Sequence, residues 1–311
     1  MKQYFNLFRW VNISIIVLSM TLVLLFLVST LLGLPWFKHG LCLGQFLLLL
    51  FSTVFIAIGG NIVNDIYDIN ADSINKAGKN VIGKKISLST AWTLYWVFSI
   101  SGILLGTFLS YLLNQINYGL IFLFSAGLLW FYSQKYQCQP LIGNIVISFL
   151  TAISIGLVWL FQFFALSNEA EIFTSVQSNF GIVNHMVLIY MGFAFFTSLI
   201  REVVKDIEDF KGDDRFGCRT FAVVYGIEKA KILAVSLLWV GAFSILFIQF
   251  YFYKLGYDLH FWYFFIIDFF LVMAMLKTRK SSLPRDFSYI SKLIKLIMLL
   301  GVLSMVIFYF Y

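Results

Sequence analysis

The chain is written in long apolar runs broken by short polar segments, and the runs have the length of a bilayer crossing rather than of a core helix. About 20 apolar residues carry a helix across hydrocarbon. That length predicts nine helices, at about residues 11 to 33, 41 to 62, 89 to 113, 118 to 133, 141 to 165, 181 to 201, 231 to 253, 259 to 276 and 290 to 311. The first run is about twice as long as the apolar region of a secretory signal, and no small-residue cleavage site follows it, so it reads as a retained span. The expected fold class is all-α, a polytopic membrane bundle, with residues 1–311 forming a single transmembrane domain.

Composition agrees. With 61% hydrophobic and 12% charged residues and a mean hydropathy of +0.90, the chain lacks the polar residues to coat a soluble core. A net charge of +7 would suggest nucleic acid in a soluble protein. Here its distribution explains it better. With the N-terminus inside, 20 of the 22 lysines and arginines fall on the inner side and only Lys38 and Lys254 fall outside. The basic bias therefore predicts the N-terminus inside, the C-terminus outside and no nucleic-acid partner. The expected location is a bacterial cytoplasmic membrane.

Acidic residues are concentrated instead of spread. Of the 15, nine lie in the windows 64 to 72 and 202 to 214, each at the cytoplasmic end of an even-numbered helix, the second and the sixth. At helical pitch Asn64, Asp68 and Asp72 share one face with Asp65 beside it, and Asp206, Asp209 and Asp213 share another. Such faces repel themselves unless a cation sits on them. A solvated helix face would pair Glu with Lys at i,i+4. Stacked acids suit Mg²⁺, which takes one or two carboxylates and leaves its other positions to water and phosphate oxygens. The recurrence after four helices suggests two similar halves with a site at their junction and the ninth helix as an addition. Asp68-x-Asn70-x-Asp72 is not a calcium loop, because Ser73 stands where its glycine belongs and Lys79 where its bidentate glutamate belongs.

The connection after the first motif runs to about Ser87 and carries Lys76, Lys79, Lys84 and Lys85. Long connections in compact folds tend to be functional. Lysines beside metal-binding carboxylates have the chemistry to grip a diphosphate, and they serve equally as topology signals. Lys135, Asn144, Arg201 and Lys205 fall on the same inner side and join them as candidate substrate contacts. Helices 3 and 4 bring Trp92, Tyr95, Trp96, Trp130, Phe131 and Tyr132. Most aromatics pack or anchor, but this abundance suits an isoprenoid chain and a transient carbocation. Gly59, Gly60 and Asn61 allow close approach of a neighbouring backbone or a ligand. Cys42, Cys138 and Cys218 show no metal or redox spacing and are expected reduced and without a role. His39, His185 and His260 read as loop or lipid-interface residues. Asp268 is an intramembrane carboxylate without an evident partner.

Asn64-Asp65-x-x-Asp68-x-x-x-Asp72 together with Lys205-Asp206-Ile207-Glu208-Asp209-x-x-Gly212-Asp213-x-x-x-Gly217-x-x-Thr220 resembles the UbiA superfamily of intramembrane prenyltransferases. The likeness covers essentially the whole chain. It implies a nine-helix bundle with a central cavity open to the bilayer, where Mg²⁺ on both motifs binds an isoprenyl diphosphate donor and a lipophilic acceptor is alkylated. Carried over, Asn64, Asp68, Asp72, Asp206, Asp209 and Asp213 would hold the metal, and Asp68, Asp72, Asp209 and Asp213 would be catalytic. Arg201-Glu202-x-x-Lys205-Asp206-Ile207-Glu208-Asp209 is most similar to the geranylgeranylglyceryl phosphate branch, with an aromatic quinone precursor or haem as the alternative acceptor. Two departures bear on diphosphate contacts. Ala77-Gly78-Lys79-Asn80 stands where many relatives have Pro-x-Arg-Pro, and Gln137 stands where many have lysine. A divalent-cation transporter would place its carboxylates near mid-bilayer, and a membrane phosphatidyltransferase would need Asp-Gly and Ala-Arg elements absent here.

Overall fold

A computed structural model describes residues 2–75, 81–83 and 85–311, with the backbone alone for Lys2, Asp72 and Asn75. In chain order its helices are α1 Lys2–Leu7, α2 Trp10–Leu22, which continues through a π-helical stretch Val23–Val28 into α3 Ser29–Leu32, then α4 Leu43–Tyr67, α5 Ile69–Asn75, α6 Leu88–Leu112, α7 Leu120–Gln134 and α8 Ile142–Ser167. They are followed by α9 Ala170–Val176, α10 Phe180–Glu208, α11 Phe210–Arg215, α12 Phe221–Tyr225, α13 Ile227–Lys254, α14 Asp258–Lys280 and α15 Pro284–Leu303. Among the described residues nine helical stretches are long and apolar enough to cross a membrane. One isolated bridge, Ile82 to Ile86, is the sole extended pairing among them. The expected all-α membrane architecture is the one that forms.

Helix ends differ from the apolar runs in a consistent way. α4 runs on to Tyr67 instead of stopping near 62, α10 to Glu208 instead of 201, and α13 and α15 begin earlier, at Ile227 and Pro284. A hydropathy window reads the thickness of hydrocarbon. The helix itself is held by its own backbone hydrogen bonds and needs no apolar side chains once it leaves the lipid. Pro284 opens α15 at a position where its missing N–H is no loss.

The chain divides into two compact units, residues 1–136 with 153–187, and residues 137–152 with 188–311. In the first, α4 packs closely on α6 and α7. Ser52 donates to the Gly102 carbonyl at 2.7 Å, and a Cβ on Gly102 would lie 2.9 Å from the Ser52 carbonyl, so the crossing needs a residue without one. Gly59 and Gly60 serve the same contact: Ser99 and Leu129 occupy the space beside them. At the motif end of α4, Leu7, Ile13, Ile58, Ile62, Val63 and Ile66 form a core that also takes Ile82 and Ile86. The far end of the long connection is thus anchored under the helix that carries the first motif. At the other end of this unit, Glu169 accepts from the Gly40 N–H at 2.7 Å and meets His39 Nδ1 at 2.9 Å, while Gln162 accepts from the Leu41 N–H at 2.8 Å.

In the second unit, α13 and α14 form a hairpin and α15 packs on α14. The intramembrane carboxylate has a partner after all: Gln249 Nε2 donates to Asp268 Oδ2 at 2.9 Å. His260 is a fully buried ring, with Phe252, Tyr257 and Phe308 around it at centroid distances of 5.1, 5.7 and 4.2 Å. It is therefore not a lipid-interface residue, because the start of α14 folds inward onto the C-terminal segment. The cysteine expectation is also corrected. Cys138 and Cys218 form a disulfide with Cα atoms 4.4 Å apart, beside a backbone bond from the Arg219 N–H to the Cys138 carbonyl at 3.2 Å. Their 80-residue separation hides the pairing from any spacing rule. Cys42 is free and exposed.

Candidate active site

Both acidic motifs are built by the same local device. α4 stops at Asp68, whose backbone (φ −86°, ψ 3°) leaves the helical well while its N–H still bonds the Asn64 carbonyl at 2.9 Å. The chain then resumes as the short α5, which carries Asp72. α10 likewise stops at Asp209 (φ −88°, ψ 0°), whose N–H bonds the Lys205 carbonyl at 2.8 Å. It resumes as α11, which carries Asp213. Asp65, Asp68 and Asp72 match Asp206, Asp209 and Asp213 in spacing and in place relative to the break. Each helical face expected from the sequence is thus interrupted once, at the middle carboxylate. The motif carboxylates offer the hard oxygen donors that a cation such as Mg²⁺ takes.

In the first unit Asn64 is buried and donates through Nδ2 to Asp68 Oδ2 at 2.9 Å. Its own Oδ1 accepts from Arg9 Nη2 at 2.6 Å, and the same nitrogen reaches Asp65 Oδ1 at 2.6 Å. Burial alone disfavours the charge on Arg9, but the neighbouring Asp65 carboxylate outweighs it and holds the guanidinium above its ordinary range. Tyr67, at the end of α4, joins Trp92, Tyr95, Trp96 and Trp130 in one aromatic cluster, Trp130 lying 5.3 Å from Tyr95 and 5.7 Å from Trp92. Four of the six aromatics singled out in the sequence belong to it, together with Tyr67. Lys135 ends α7 with its side chain exposed. Lys76, Lys79 and Lys84 lie outside the described residues, as does the side chain of Asp72.

In the second unit Asn144, buried near the start of α8, donates to Asp206 Oδ2 at 3.0 Å. Glu202, also buried, binds Arg201 through Oε1 and stands 3.8 Å from Lys205 Nζ. Two of the cations expected to meet substrate therefore already face a carboxylate. Asp209 and Asp213 are half-buried, and the Asp213 carbonyl accepts from the Cys218 N–H at 2.9 Å. Among the described residues, no group of three or more His, Cys, Asp or Glu side chains is placed to hold a metal by itself. The donor chemistry still fits Mg²⁺: hard oxygens, few per motif, consistent with an ion completed by water and phosphate. Sequence reasoning missed Arg9, which it counted as a topology signal. Its position directly before the first span was the available clue.

The UbiA prenyltransferase family model matches residues 17–296. The chain belongs to the UbiA prenyltransferase family. The family and enzyme class expected from the motifs hold. Among curated proteins it is similar to digeranylgeranylglyceryl phosphate synthase of Methanobrevibacter smithii, with 30% identity over 192 residues, 62% of each chain. The match thus spans somewhat under two thirds of that relative's length. Among solved structures, a digeranylgeranylglyceryl phosphate synthase aligns with TM-score 0.61 and 26% identity over 98% of this chain and 96% of that one. A UbiA homolog from Archaeoglobus fulgidus bound to DMAPP and Mg²⁺ aligns with TM-score 0.54 over 98% and 99%; at 15% identity it shows the fold alone.

Proposed function

We propose that this UbiA-family chain transfers an isoprenyl group from an isoprenyl diphosphate to a lipophilic acceptor within the membrane, with Mg²⁺ as cofactor and a glyceryl phosphate ether as the acceptor class. One observation carries the reading: two motifs of equal spacing, each with its middle aspartate at the break between a membrane-crossing helix and a short polar one. The name of the relatives supports the acceptor. The Mg²⁺ and DMAPP of the Archaeoglobus homolog support the cofactor and the donor class. The basic bias supports a cytoplasmic N-terminus and cytoplasmic motifs in the cell membrane. Residues 1–311 act as one catalytic domain.

In this reading Asp68, Asp72, Asp209 and Asp213 hold the metal. Asn64 and Asp206, also assigned to the metal site, bond to Asp68 and to Asn144. Bound Mg²⁺ would supply charge to the diphosphate leaving group. Lys76, Lys79 and Lys135 are the cations assigned to the diphosphate, with Arg201 and Lys205 adding positive field that Glu202 tempers. Asn144 acts through Asp206. Aromatic side chains such as those of the cluster that Tyr67 joins would offer π faces to an allylic cation.

The test incubates purified protein with Mg²⁺ and geranylgeranyl diphosphate against a panel of a glyceryl phosphate ether, quinone precursors and haem, with products identified by mass. A prenylated glyceryl phosphate ether is expected, and Asp68→Ala or Asp209→Ala should abolish it while the protein stays folded in detergent. Full activity in either variant would remove the metal reading. A prenylated quinone precursor or haem would replace the acceptor.

A further inference from the structure

Arg9 is the residue that the activity does not yet use. It lies between α1 and α2 with its backbone in the left-handed region, φ 52° and ψ 53°, a conformation uncommon for any residue but glycine. Its N–H bonds the Asn6 carbonyl at 3.1 Å and its own carbonyl accepts from the Asn12 N–H at 2.8 Å, so the turn is fixed from both sides. A further tie comes from Asn61 Nδ2, which donates to the Phe8 carbonyl at 3.1 Å. The result aims one guanidinium nitrogen at Asn64 and Asp65 together. Because Arg9 takes the Asn64 oxygen, the Asn64 amide nitrogen is the end left to face Asp68, and it donates there. An amide has one acceptor end and one donor end, so fixing the first fixes the second.

The second unit repeats the arrangement with different chemistry. Asp206, the counterpart of Asp65, is held by Asn144 near the start of α8, the membrane-crossing helix that precedes α10, as Asp65 is held by Arg9 directly before α2, which opens the membrane-crossing stretch that precedes α4. Each motif thus has its first carboxylate tied to an earlier stretch of the chain.

We propose that Arg9 is a positioning residue of the first acidic motif: through Asn64 it orients the Asp68 carboxylate for the metal, and Asp65 serves to hold Arg9 and not to coordinate. The inference rests on the metal reading above. Neutralisation is the rival account. A nearby cation whose only part was to cancel charge would oppose metal binding, so its removal would tighten the site. Removal of a support loosens it instead, typically about 10- to 100-fold in metal affinity.

The experiment measures Mn²⁺ binding by electron paramagnetic resonance in the presence of inorganic pyrophosphate, without prenyl substrate. Arg9→Met should bind Mn²⁺ about tenfold more weakly than the unaltered protein. The Mg²⁺ needed for half-maximal rate should rise in proportion, while kcat at saturating Mg²⁺ falls less than about threefold. The double variant Arg9→Met with Asp65→Asn should stay as weak, and Arg9→Lys should recover part of the affinity. Should Arg9→Met fail to fold, Arg9→Gln is read by the same criteria. Mn²⁺ binding by Arg9→Met as tight as in the unaltered protein, or restored by Asp65→Asn, overturns the proposal and leaves the metal reading standing. Absence of Mn²⁺ binding in the unaltered protein overturns both.

Discussion

Glu202 is the most informative single position for stability in the second unit. Its side chain is 8% exposed and sits between Arg201, 16% exposed, and Lys205, 25% exposed. Glu202→Leu fits the volume but leaves a largely buried guanidinium without its carboxylate. Breaking a buried pair by removing one partner costs about 3–5 kcal/mol. The partial exposure of both cations lets water screen them, so the low end applies, about 3 kcal/mol. For a chain portion of this size each kcal/mol moves the unfolding midpoint about 2–4 °C, which gives a drop of about 6–12 °C. Glu202→Gln keeps an acceptor for Arg201 and loses only the charge, so its drop should be about half as large. Thermal unfolding in one detergent, followed by tryptophan fluorescence without substrate or metal, measures both. A leucine variant within about 2 °C of the unaltered protein would refute the reasoning, since it would mean that Arg201 finds water or another acceptor at no cost.

Two further outcomes follow from features outside the motifs. Without reductant one thiol, Cys42, should react with an alkylating probe, and after reduction all three cysteines should, as mass spectrometry reads directly; three reactive thiols at the start would contradict the pairing of Cys138 with Cys218. Gln249→Leu removes the donor to Asp268 inside a span, where such bonds average about 0.6 kcal/mol and reach about 1.7. A midpoint lower by about 1–7 °C is expected, with Asp268→Asn milder because it keeps a side-chain amide pair.

The spans were legible because lipid thickness imposes one length on every crossing, and that length survives in the sequence without any knowledge of neighbours. Their polar ends were not, since α4 and α10 stay helical after the apolar signal has stopped. The acidic motifs could be read as sites because acids gathered at helix ends are costly without a cation. The break at Asp68 and at Asp209 has no residue signature, as neither position is glycine or proline. Partnerships were the hidden part. Asn144 with Asp206, Gln249 with Asp268 and Cys138 with Cys218 each join residues from different helices or loops, and a single chain carries no mark of which distant residue will be adjacent. Arg9 was hidden differently, because an inner-side arginine already has a sufficient explanation in topology.

The interruption at Asp68 makes that residue an articulation. The direction of the seven residues of Ile69–Asn75 relative to the 25 residues of Leu43–Tyr67 is set by its backbone dihedrals; the six residues of Phe210–Arg215 stand in the same relation to Asp209. Each short helix is therefore aimed by a single residue, and a substitution that changes the backbone preference at Asp68 or Asp209 re-aims the segment beyond it without touching the long helix before it.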